Sequence, residues 1–473
     1  MITVVWFRQD LRVHDQPLLH RAAALGAPVV PLYVLPDHWT VPGPEGEDRL
    51  GAPKSAFLEE CLADLSLSLE ALGLALVTVV ASPVTLLDDW HQREPLQVVT
   101  AEADAPEEAQ AIASLRARGL TVHEVGSRTL LAATALPWQG TFPATFSRFR
   151  RQVERHSGPF VDRPEGKPPA LGSALAPPVP AGTKGVAPVL AQRRAGWQRC
   201  DKDYFSLPGG EQSARQWLQR YLFDARHIAH YKQTRNQLIG EGYSSRLSAA
   251  LAWGCLSVRQ IWHAILEYEQ HYGANSHSYW LRFELLWREF FHWSLREHGV
   301  QSFCFTGLSD RQAEPPCLDS LAQRRWLAWQ SATTGLPFID ANLRELLATG
   351  YVSNRGRQVL ASFLVQDLGL DWRLGARWFE RHLVDHDVAS NWGNWAYIAG
   401  YGHDARGGRR FSPTREWWRH DPDASYLYYW LPELAGLSRA ACLECHFRSV
   451  DQYHEPAYPA PVISLPDSDR VVS

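Results

Sequence analysis

The chain has 473 residues, roughly two to three times the length of an ordinary domain, so at least two domains are expected. A content of 45% hydrophobic and 21% charged residues excludes wholesale disorder. The longest apolar run, Leu72–Ala81, is too short to span a membrane, and the first residues read as a strand with no basic region before them, so no signal peptide is expected. Seven scattered cysteines favour a cytoplasmic location over a disulfide framework.

Charge divides the chain into two parts. Residues 1–130 carry a net charge of −9 and residues 131–473 a net charge of +5, although the whole chain has −4. Seventeen of the 20 tryptophans also fall in the second part. The second part is therefore free to present a basic face to nucleic acid. Because only five of the 47 basic residues are lysines, contacts with phosphate would come mostly from arginine.

The first 130 residues alternate strand-like and helical segments, which predicts βαβ units and a doubly wound parallel sheet. The strand-like runs are short and rich in β-branched residues: Ile2–Trp6, Val29–Val34, Ala75–Val80, Leu96–Thr100 and Leu120–Val125. Between them lie helical segments such as Lys54–Leu72 and Glu107–Ala117. No glycine-rich phosphate-binding sequence follows the first strand, so a standard dinucleotide site is not expected in this α/β domain.

The rest of the chain is predicted to hold a connector and a larger all-α domain. Residues 131–200 form the connector, because Ser157–Pro188 is crowded with Pro, Gly and Ala. Residues 201–473 form the helical domain, since helical periodicity dominates from Tyr204 onward. The predicted helices are Glu211–Phe223, Leu256–Gln270, Tyr279–His298, Asp340–Thr349, Gln358–Asp367 and Leu374–Val384.

Cys442–His446 matches the spacing of a haem c attachment sequence. Covalent haem attachment normally takes place outside the cytoplasm, and no export signal is visible. His454 alone would not complete a zinc site with these cysteines. We therefore interpret them as incidental and predict no metal site.

Asp385-His386-Asp387 is an acidic cluster that follows a predicted helix, and Asn391–Trp395 comes directly after it. Such a cluster is typical of a helix end with a capping Asp and a turn. Its surroundings favour a second interpretation, because Asn354–Gln358 offers an arginine to a carboxylate and Trp372 and Trp395 lie on either side. A pocket with aromatic, Arg, Asp and Asn side chains suits a large planar polar ring such as an isoalloxazine.

Two further segments have both a structural and a functional interpretation. Tyr243–Ser248 is either an ordinary N-cap cluster or, with its hydroxyls and its arginine, a cradle for phosphate. Glu284, Trp287, Arg288 and Phe291 share one face of a predicted helix. That face is either an internal salt bridge with packed aromatic rings or the wall of a ligand cavity.

Taken together, these segments resemble the cryptochrome/photolyase family, and within it the cryptochrome-DASH branch. The resemblance runs along essentially the whole chain, through Trp6–Arg12, Phe146–Arg150, Tyr231–Asn236, Ser245–Ser248, Glu284–Phe290, Asp340–Glu345, Ser353–Gln358, Asp385–Asp387, Ser390–Trp395 and Trp430–Leu434. It implies the fold already predicted, an α/β domain that hosts an antenna chromophore followed by a helical domain that binds FAD.

The resemblance also implies how FAD is held. Tyr231 and the segment Ser244, Ser245, Arg246, Leu247 and Ser248 would hold its ribityl and diphosphate groups. The residues that would surround the flavin are Asn354, Arg357, Asp385, His386, Asp387 and Asn391. Arg357 would pair with Asp385, and Asn391 would lie near the flavin N5.

Further roles follow from the same resemblance. Glu284 and Trp287 would line the cavity for a DNA lesion with Tyr397 opposite, and the residues expected to contact DNA also include Arg235, Arg288, Asn354 and Arg355. Trp395 and then Trp372 would carry electrons to the flavin. A folate of the methenyltetrahydrofolate type would be the antenna, with Glu107 and Glu108 as candidate contacts.

The sequence departs from the family pattern in several places. A gapless count puts an aspartate where related photolyases have the outermost tryptophan of the electron path, so either Trp326 or Trp329 takes its place or the path differs. Trp417 occupies the position where the family usually has a glutamine that contacts DNA. Ser412 occupies a position that is usually Asn in this branch. Tyr397 replaces a tryptophan of the photolyases that act on duplex DNA.

The expected function is blue-light-dependent repair of cyclobutane pyrimidine dimers, the reaction of a deoxyribodipyrimidine photo-lyase. The expected partner is DNA that contains such dimers, with single strands preferred, and the protein is expected to be a cytoplasmic monomer that does not bind membranes. Two alternatives stay open: a blue-light-sensing cryptochrome that binds FAD and DNA without repair, and a flavoprotein regulator that binds nucleic acid.

Overall fold

The computed structural model describes residues 1–43, 46–138, 140–155, 161–200, 207–403, 408–445, 458–466 and 469. Its N-terminal part is built on a six-stranded sheet with the strand order β5-β4-β1-β2-β3-β6. The strands are β1 Ile2–Phe7, β2 Val29–Pro36, β3 Val77–Ala81, β4 Leu96–Ala101, β5 Thr121–Val125 and β6 Lys184–Gly185. The first five are parallel, as the alternating pattern predicts.

The central strand of the sheet is buried on both faces. Val4 of the central strand pairs with Val30 on one side and Val98 on the other, and all six residues of β1 are buried. Strands that are covered on both faces are continuously apolar, because helices pack on each side. The covering helices are α1 Pro17–Leu25, α2 Ala52–Glu70, α3 Pro83–Arg93 and α4 Pro106–Ala117.

The connector contributes to this domain. Within it, helix α5 spans Phe146–Arg155, and β6 pairs antiparallel with β3 at the edge of the sheet. Helix α6, Val186–Arg193, follows directly and packs on α2. Covering the β3 edge removes a row of unpaired backbone groups. The predicted domain boundaries stay predictions, and the one at residue 201 lies outside the described residues, as does Tyr204.

The C-terminal part is helical, as predicted. Its α-helices are α7 Glu211–Gln219, α8 Tyr231–Thr234, α9 Leu247–Ala252, α10 Val258–Tyr272, α11 Ser276–His298, α12 Ser320–Gln330, α13 Pro337–Thr349, α14 Asn354–Ser362, α15 Trp372–His382, α16 Val388–Ala399, α17 Pro413–His420, α18 Ser425–Trp430 and α19 Arg439–Cys445. Short 3-10 segments lie at Asp37–Thr40, Ala133–Ala135, His227–His230, Gly299–Phe303 and Pro432–Leu434.

Two predicted helices end in a wider turn. Glu211–Phe223 is predicted as one helix, but α7 ends at Gln219 and a π turn follows over Arg220–Asp224. A second π turn, Phe363–Asp367, ends α14 in the same way. In each turn the closing bond runs from an amide to the carbonyl five residues earlier, as from Leu368 to Phe363 at 2.9 Å. A local shift of this kind does not change the apolar periodicity, so the sequence did not reveal it.

Two negative findings apply to the ranges described above. No helix in them is long and apolar enough to cross a membrane. No group of His, Cys, Asp and Glu side chains in them is arranged to hold a metal ion. Cys442 and Cys445 lie buried on α19, and His446 and His454 lie outside the described residues.

One apolar cluster contains residues of both domains, and a polar contact just after β1 also joins them. Arg12 is almost fully buried, and its guanidinium donates to the carbonyl of Gly254 at 3.0 Å and to that of Asp15 at 2.7 Å. The Leu11 amide donates to the carbonyl of Trp253 at 3.0 Å. The backbone at Gly254 has φ +67°, and a Cβ there would overlap the backbone of Gln9 and Asp10.

This contact predicts that Gly254→Ala lowers stability more than Gly26→Ala does. Both glycines have φ near +70°, where an alanine costs about 1–2 kcal/mol. Gly26 has open space around it, whereas Gly254 meets backbone, so overlap adds about 1–3 kcal/mol at Gly254 alone. Thermal unfolding of the two variants measures the difference, and equal melting temperatures would contradict the close approach of the domains.

Candidate functional site

A cavity of about 270 Å³ lies inside the helical domain, and we call it the central cavity. Helices α8, α9, α11, α14 and α16 and the loop before α16 form its walls. The residues that line it are Tyr231, Arg235, Ser244, Ser245, Arg246, Leu247, Ser248, Leu251, Ala252, Leu281, Glu284, Leu285, Arg288, Tyr351, Asn354, Arg357, Asp385, Asp387, Ser390 and Asn394. Most residues predicted to bind FAD are therefore brought together around one space.

One end of the central cavity offers positive charge and hydroxyl groups. Arg246 is 6% exposed, and none of its three side-chain nitrogens has a hydrogen-bond partner among the described residues. Its guanidinium carbon lies 5.3 Å from the ring centres of both Tyr243 and Tyr351. Ser244 and Ser248 line the same end. A buried arginine without a partner is costly unless an anion binds it, so this end fits a phosphate or diphosphate group.

Another part of the wall is built around a buried ion pair. Arg357 donates to one oxygen of Asp385 at 2.8 Å and to the carbonyl of Val352 at 2.9 Å. Burial alone would lower the pKa of Arg357, but Asp385 raises it above its usual value. The second oxygen of Asp385 is buried without a partner among the described residues. That oxygen fits an N–H donor of a polar ring.

Asp385-His386-Asp387 is divided between two cavities. Asp387 lines the central cavity and a second cavity between the domains, whereas His386 lines only the second one. His386 lies in the turn before α16, where its amide donates to the carbonyl of Leu383 at 3.3 Å, and its role in holding FAD stays a prediction. Burial and the nearby Lys54 place the pKa of His386 well below its usual value, so the ring is neutral.

Asp387 belongs to a buried group of charged side chains from both domains, which we call the interdomain ion cluster. His292 lies 2.9 Å from Asp387 and 3.0 Å from Asp104 of the α/β domain. The pKa of Asp104 and that of Asp387 lie well below the usual value, because the surrounding cations outweigh the effect of burial. The cluster consists of Asp104, Arg128, Arg288, His292, Arg296 and Asp387.

Glu284 stands in the wall of the central cavity and forms an ion pair with Arg235. Trp287 does not line that cavity. Its ring is stacked on Phe146 with 3.7 Å between ring centres, and the ring of Tyr397 is steeply inclined to it with 6.1 Å between ring centres. One face of Trp287 is thus already covered, so a base could reach only the remaining face or edge.

The arginines predicted to contact DNA differ in exposure. Arg288 has a side chain that is 10% exposed and donates to the carbonyl of Arg128 at 2.6 Å. Because it is held within the interdomain ion cluster, its geometry favours a structural role over contact with DNA. Arg355 lies nearer the surface and pairs with Glu416 at 3.3 Å. Asn354 is exposed and donates to Asn236 at 3.2 Å.

The tryptophans predicted to carry electrons lie on α15 and α16. Trp395 is 2% exposed and packs against Phe379 of α15, with 5.0 Å between ring centres. The ring contact of Trp372 is with Trp392, at 5.7 Å. Asn391 does not line the central cavity, and its amide donates to the carbonyl of Ala376 on α15 at 2.9 Å. Asn391 therefore joins the two helices that position Trp395.

The structure also shows the surroundings of the two candidates for an outer tryptophan and of two residues that depart from the family pattern. Trp326 and Trp329 stack at 5.5 Å on α12, and Trp329 lies 6.4 Å from Phe379, which in turn packs on Trp395. Trp417 is fully buried and donates to Asp421 at 3.1 Å, so it is not available to DNA. Ser412 accepts a bond from the Arg415 amide at 3.4 Å and caps α17.

The second cavity, which we call the interdomain cavity, has a volume of about 390 Å³. Glu107 stands at its rim and accepts two bonds from Arg49, at 3.0 and 3.1 Å. Glu108 is instead bound within the protein, since it pairs with Arg8 and Arg128 at 3.2 Å. The walls of the interdomain cavity include Trp6, Tyr33, His38, Trp39, Phe303, Glu380, His386, Asp387, Val388 and Trp392.

Sequence reasoning missed several residues of the central cavity. Ser390 and Asn394 are four residues apart on α16 and face the cavity together. Helical periodicity would have found them, since residues at i and i+4 share one face. Tyr351 and Leu281 carry no motif, and only the structure places them there.

Comparisons with known proteins identify the family. Residues 3–169 match the family model described as DNA photolyase, and residues 280–472 match the model described as the FAD binding domain of DNA photolyase. The chain is 39% identical to cryptochrome DASH of Gloeobacter violaceus over 92% of its own length and 87% of the relative's. It is 35% identical to the chloroplastic/mitochondrial cryptochrome DASH of Oryza sativa, over 93% of this chain and 78% of that protein.

Solved structures show the same fold. The Synechocystis cryptochrome superimposes with a TM-score of 0.85 at 32% identity, over 97% of this chain and 96% of that one. A class III photolyase of Agrobacterium tumefaciens superimposes with a TM-score of 0.77 at 27% identity, over 99% of this chain and 95% of that one. Near-complete coverage confirms the predicted family and fold class. The chain belongs to the cryptochrome/photolyase family, has an FAD-binding helical domain, and is similar to the cryptochrome DASH proteins of that family.

Proposed function

We propose that the protein repairs cyclobutane pyrimidine dimers under blue light and that it prefers single-stranded DNA. The observation that carries this proposal is the position of Glu284. Its carboxylate lines the same central cavity as Asp385, Arg357 and Arg246. A group suited to hydrogen-bonding a damaged base therefore shares one space with the groups suited to holding FAD.

The cavity residues divide the work of holding FAD. Arg246, with Ser244 and Ser248, would bind the diphosphate, and Asp385 with Arg357 would bind the flavin ring. Reduced FAD, when bound and excited by light, supplies the electron that opens the cyclobutane ring. The protein contributes a dry space and fixed charges, which need no rearrangement when charge develops on the lesion.

Glu284 is held by Arg235 until a lesion enters. Both side chains line the cavity, and Arg235 is one of the residues expected to meet DNA phosphate. Transfer of Arg235 to a phosphate would leave Glu284 without its counter-ion, and the carboxyl group, once it takes up a proton from water, would donate to a carbonyl oxygen of the pyrimidines. That bond would strengthen as the lesion gains negative charge, so Glu284 would act mainly on the chemical step.

The preference for single strands follows from the cost of exposing the lesion. A dimer must leave the base stack to reach the cavity, and this costs least in single-stranded DNA. Phe146 already covers one face of Trp287, and the ring of Tyr397 is steeply inclined to it. The aromatic wall left for a flipped base is therefore small, which reduces the gain that would offset the opening of a duplex.

The ion pair between Glu284 and Arg235 also favours a second candidate function. If it is a permanent structural contact, the protein would bind FAD and sense light without repairing DNA. Both functions need the same cofactor, so flavin binding alone does not separate them.

The decisive experiment measures light-dependent repair of ultraviolet-irradiated oligo-thymidine. We expect the protein to restore the absorbance of intact thymines, and we expect Glu284→Ala to bind FAD normally while losing about tenfold or more of the repair yield per absorbed photon. Glu433→Ala is the matched control, because Glu433 is also partly exposed and paired with an arginine, Arg344, away from the cavity.

Two results would contradict the proposal. Absence of repair in the reduced, FAD-loaded protein would favour the sensing function. Equal yields in the wild-type protein and Glu284→Ala would show that Glu284 forms only a structural ion pair.

A second prediction concerns the source of electrons for the oxidised flavin. Trp395→Phe should keep the packing against Phe379, because phenylalanine is also flat and apolar. Phenylalanine is much harder to oxidise than tryptophan, so light should no longer reduce the bound flavin efficiently, as followed by its absorbance. Repair by chemically reduced protein should survive.

Trp372→Phe should show the same loss of photoreduction. Trp392 contacts Trp372 and is the main competitor as the electron donor. If photoreduction is normal in Trp395→Phe and lost in Trp392→Phe, Trp392 rather than Trp395 is the electron donor to the flavin.

A third prediction concerns the interdomain cavity, which we infer takes a folate antenna. Its apolar walls suit a flat ring, and the carboxylate of Glu107 at the rim suits the N–H groups of a pterin. Burial raises the pKa of Glu107, but His38 and Arg49 outweigh it, so the group is ionised at neutral pH.

We expect methenyltetrahydrofolate to bind the full-length protein and to transfer its excitation to FAD. Glu107→Gln should weaken binding by about tenfold or more, whereas Glu94→Gln, at an exposed carboxylate that does not line the cavity, should not. Equal folate affinity in the two variants would exclude the proposed contact.

A further inference from the structure

His292 lies between the two domains with a carboxylate on each side of its ring. It is fully buried in the C-terminal half of α11. Its Nδ1 is 3.0 Å from an oxygen of Asp104, in the loop between β4 and α4 of the α/β domain. Its Nε2 is 2.9 Å from an oxygen of Asp387, the residue that caps α16 in the helical domain.

This geometry determines the proton state of the ring. A neutral imidazole has one N–H and one bare nitrogen, and a bare nitrogen facing a carboxylate would bring two lone pairs together. Because both ring nitrogens of His292 lie within hydrogen-bond distance of a carboxylate oxygen, each must carry a proton. His292 is thus an imidazolium that donates to Asp104 and to Asp387.

The other ionisable groups around His292 are arginines and carboxylates. Arg128, from the segment after β5, lies 3.2 Å from Asp104 and 3.8 Å from Asp387. From α11 itself, Arg288 lies 3.8 Å from Asp387, Arg296 lies 2.6 Å from Asp104, and Glu289 accepts bonds from the amides of residues 130 and 131. Of these described groups, His292 is the one whose ordinary titration range lies near neutrality.

His292 makes the short side-chain bond that orients Asp387. One oxygen of Asp387 accepts the Ser390 amide at 2.8 Å and so caps α16, and the other accepts from His292 at 2.9 Å. Arg128 and Arg288 both stand 3.8 Å away, beyond a normal hydrogen bond. Asp387 lines the central cavity, so a change at His292 reaches the wall of the FAD site through one side chain.

We propose that His292 is a positioning residue whose proton couples FAD binding to pH, since its protonated ring fixes Asp387 and its neutral ring releases it. The inference rests on the binding of FAD in the central cavity, which is part of the function proposed above. It does not depend on repair of DNA.

The direction of the pH effect follows from the carboxylates. Burial and Arg288 lower the pKa of His292, but Asp387 and Asp104 outweigh them and the pKa lies above its usual value. The proton on His292 therefore supports FAD binding fully at pH values below the ordinary histidine range. This support is lost as the pH rises through the higher pKa that His292 has in the folded protein. FAD should bind more weakly at alkaline than at mildly acidic pH.

The test titrates flavin-free, full-length protein with FAD between pH 6 and pH 9 and follows the quenching of flavin fluorescence. We expect the affinity of the wild-type protein to fall by about fivefold or more over this range. His292→Arg keeps a permanent cation and should show a flat profile. His403→Gln is the matched control and should follow the wild type, because burial lowers the pKa of His403 to about 4 and its ring stays neutral.

A second measurement needs neither flavin chemistry nor DNA. In protein labelled with 15N-histidine, the signal that His292→Arg removes should show two protonated ring nitrogens at pH 6. A bare nitrogen at pH 6, a flat affinity profile in the wild type, or a wild-type profile in His292→Arg would each overturn the inference. Absence of repair would leave these results unchanged, so the two proposals fail separately.

Discussion

The interdomain ion cluster is the interaction on which the arrangement of both cavities depends. Asp104 and His292 have fully buried side chains, and the side chains of Arg128 and Asp387 are 5% and 7% exposed. Charges this deep are tolerated only when each has a partner, and removal of one typically costs about 3–5 kcal/mol. Because Asp387 lines both the central and the interdomain cavity, the cluster fixes the two domains and the two binding spaces relative to each other.

Much of the fold could be predicted from the sequence, because local patterns determine it. Strands β1 and β4, for example, were predicted to within one residue by runs of β-branched side chains, and α11 to within three residues by its apolar face. The pairing of Arg357 with Asp385 was also anticipated, since the two lie in motifs of the resembled family. The orientation of His386 could not be predicted, because it depends on the path of the loop before α16.

Other parts of the site have no local signal. His292 and Asp104 are 188 residues apart and meet only because the two domains pack together. Phe146 stacks on Trp287 across 141 positions of sequence, and neither residue type reveals its partner. The interdomain cavity likewise combines Trp6 with Trp392. Features that arise from contacts between distant segments require the folded structure.

The central claim is that one cavity brings a DNA lesion to bound FAD through Glu284. The most direct measurement is a crystal structure of the FAD-loaded protein with an oligo-thymidine that contains one dimer. The account predicts the flavin ring beside Asp385, the dimer within hydrogen-bond distance of Glu284, and Arg235 moved from Glu284 to a phosphate. A dimer bound elsewhere, with the pair of Glu284 and Arg235 intact, would contradict it.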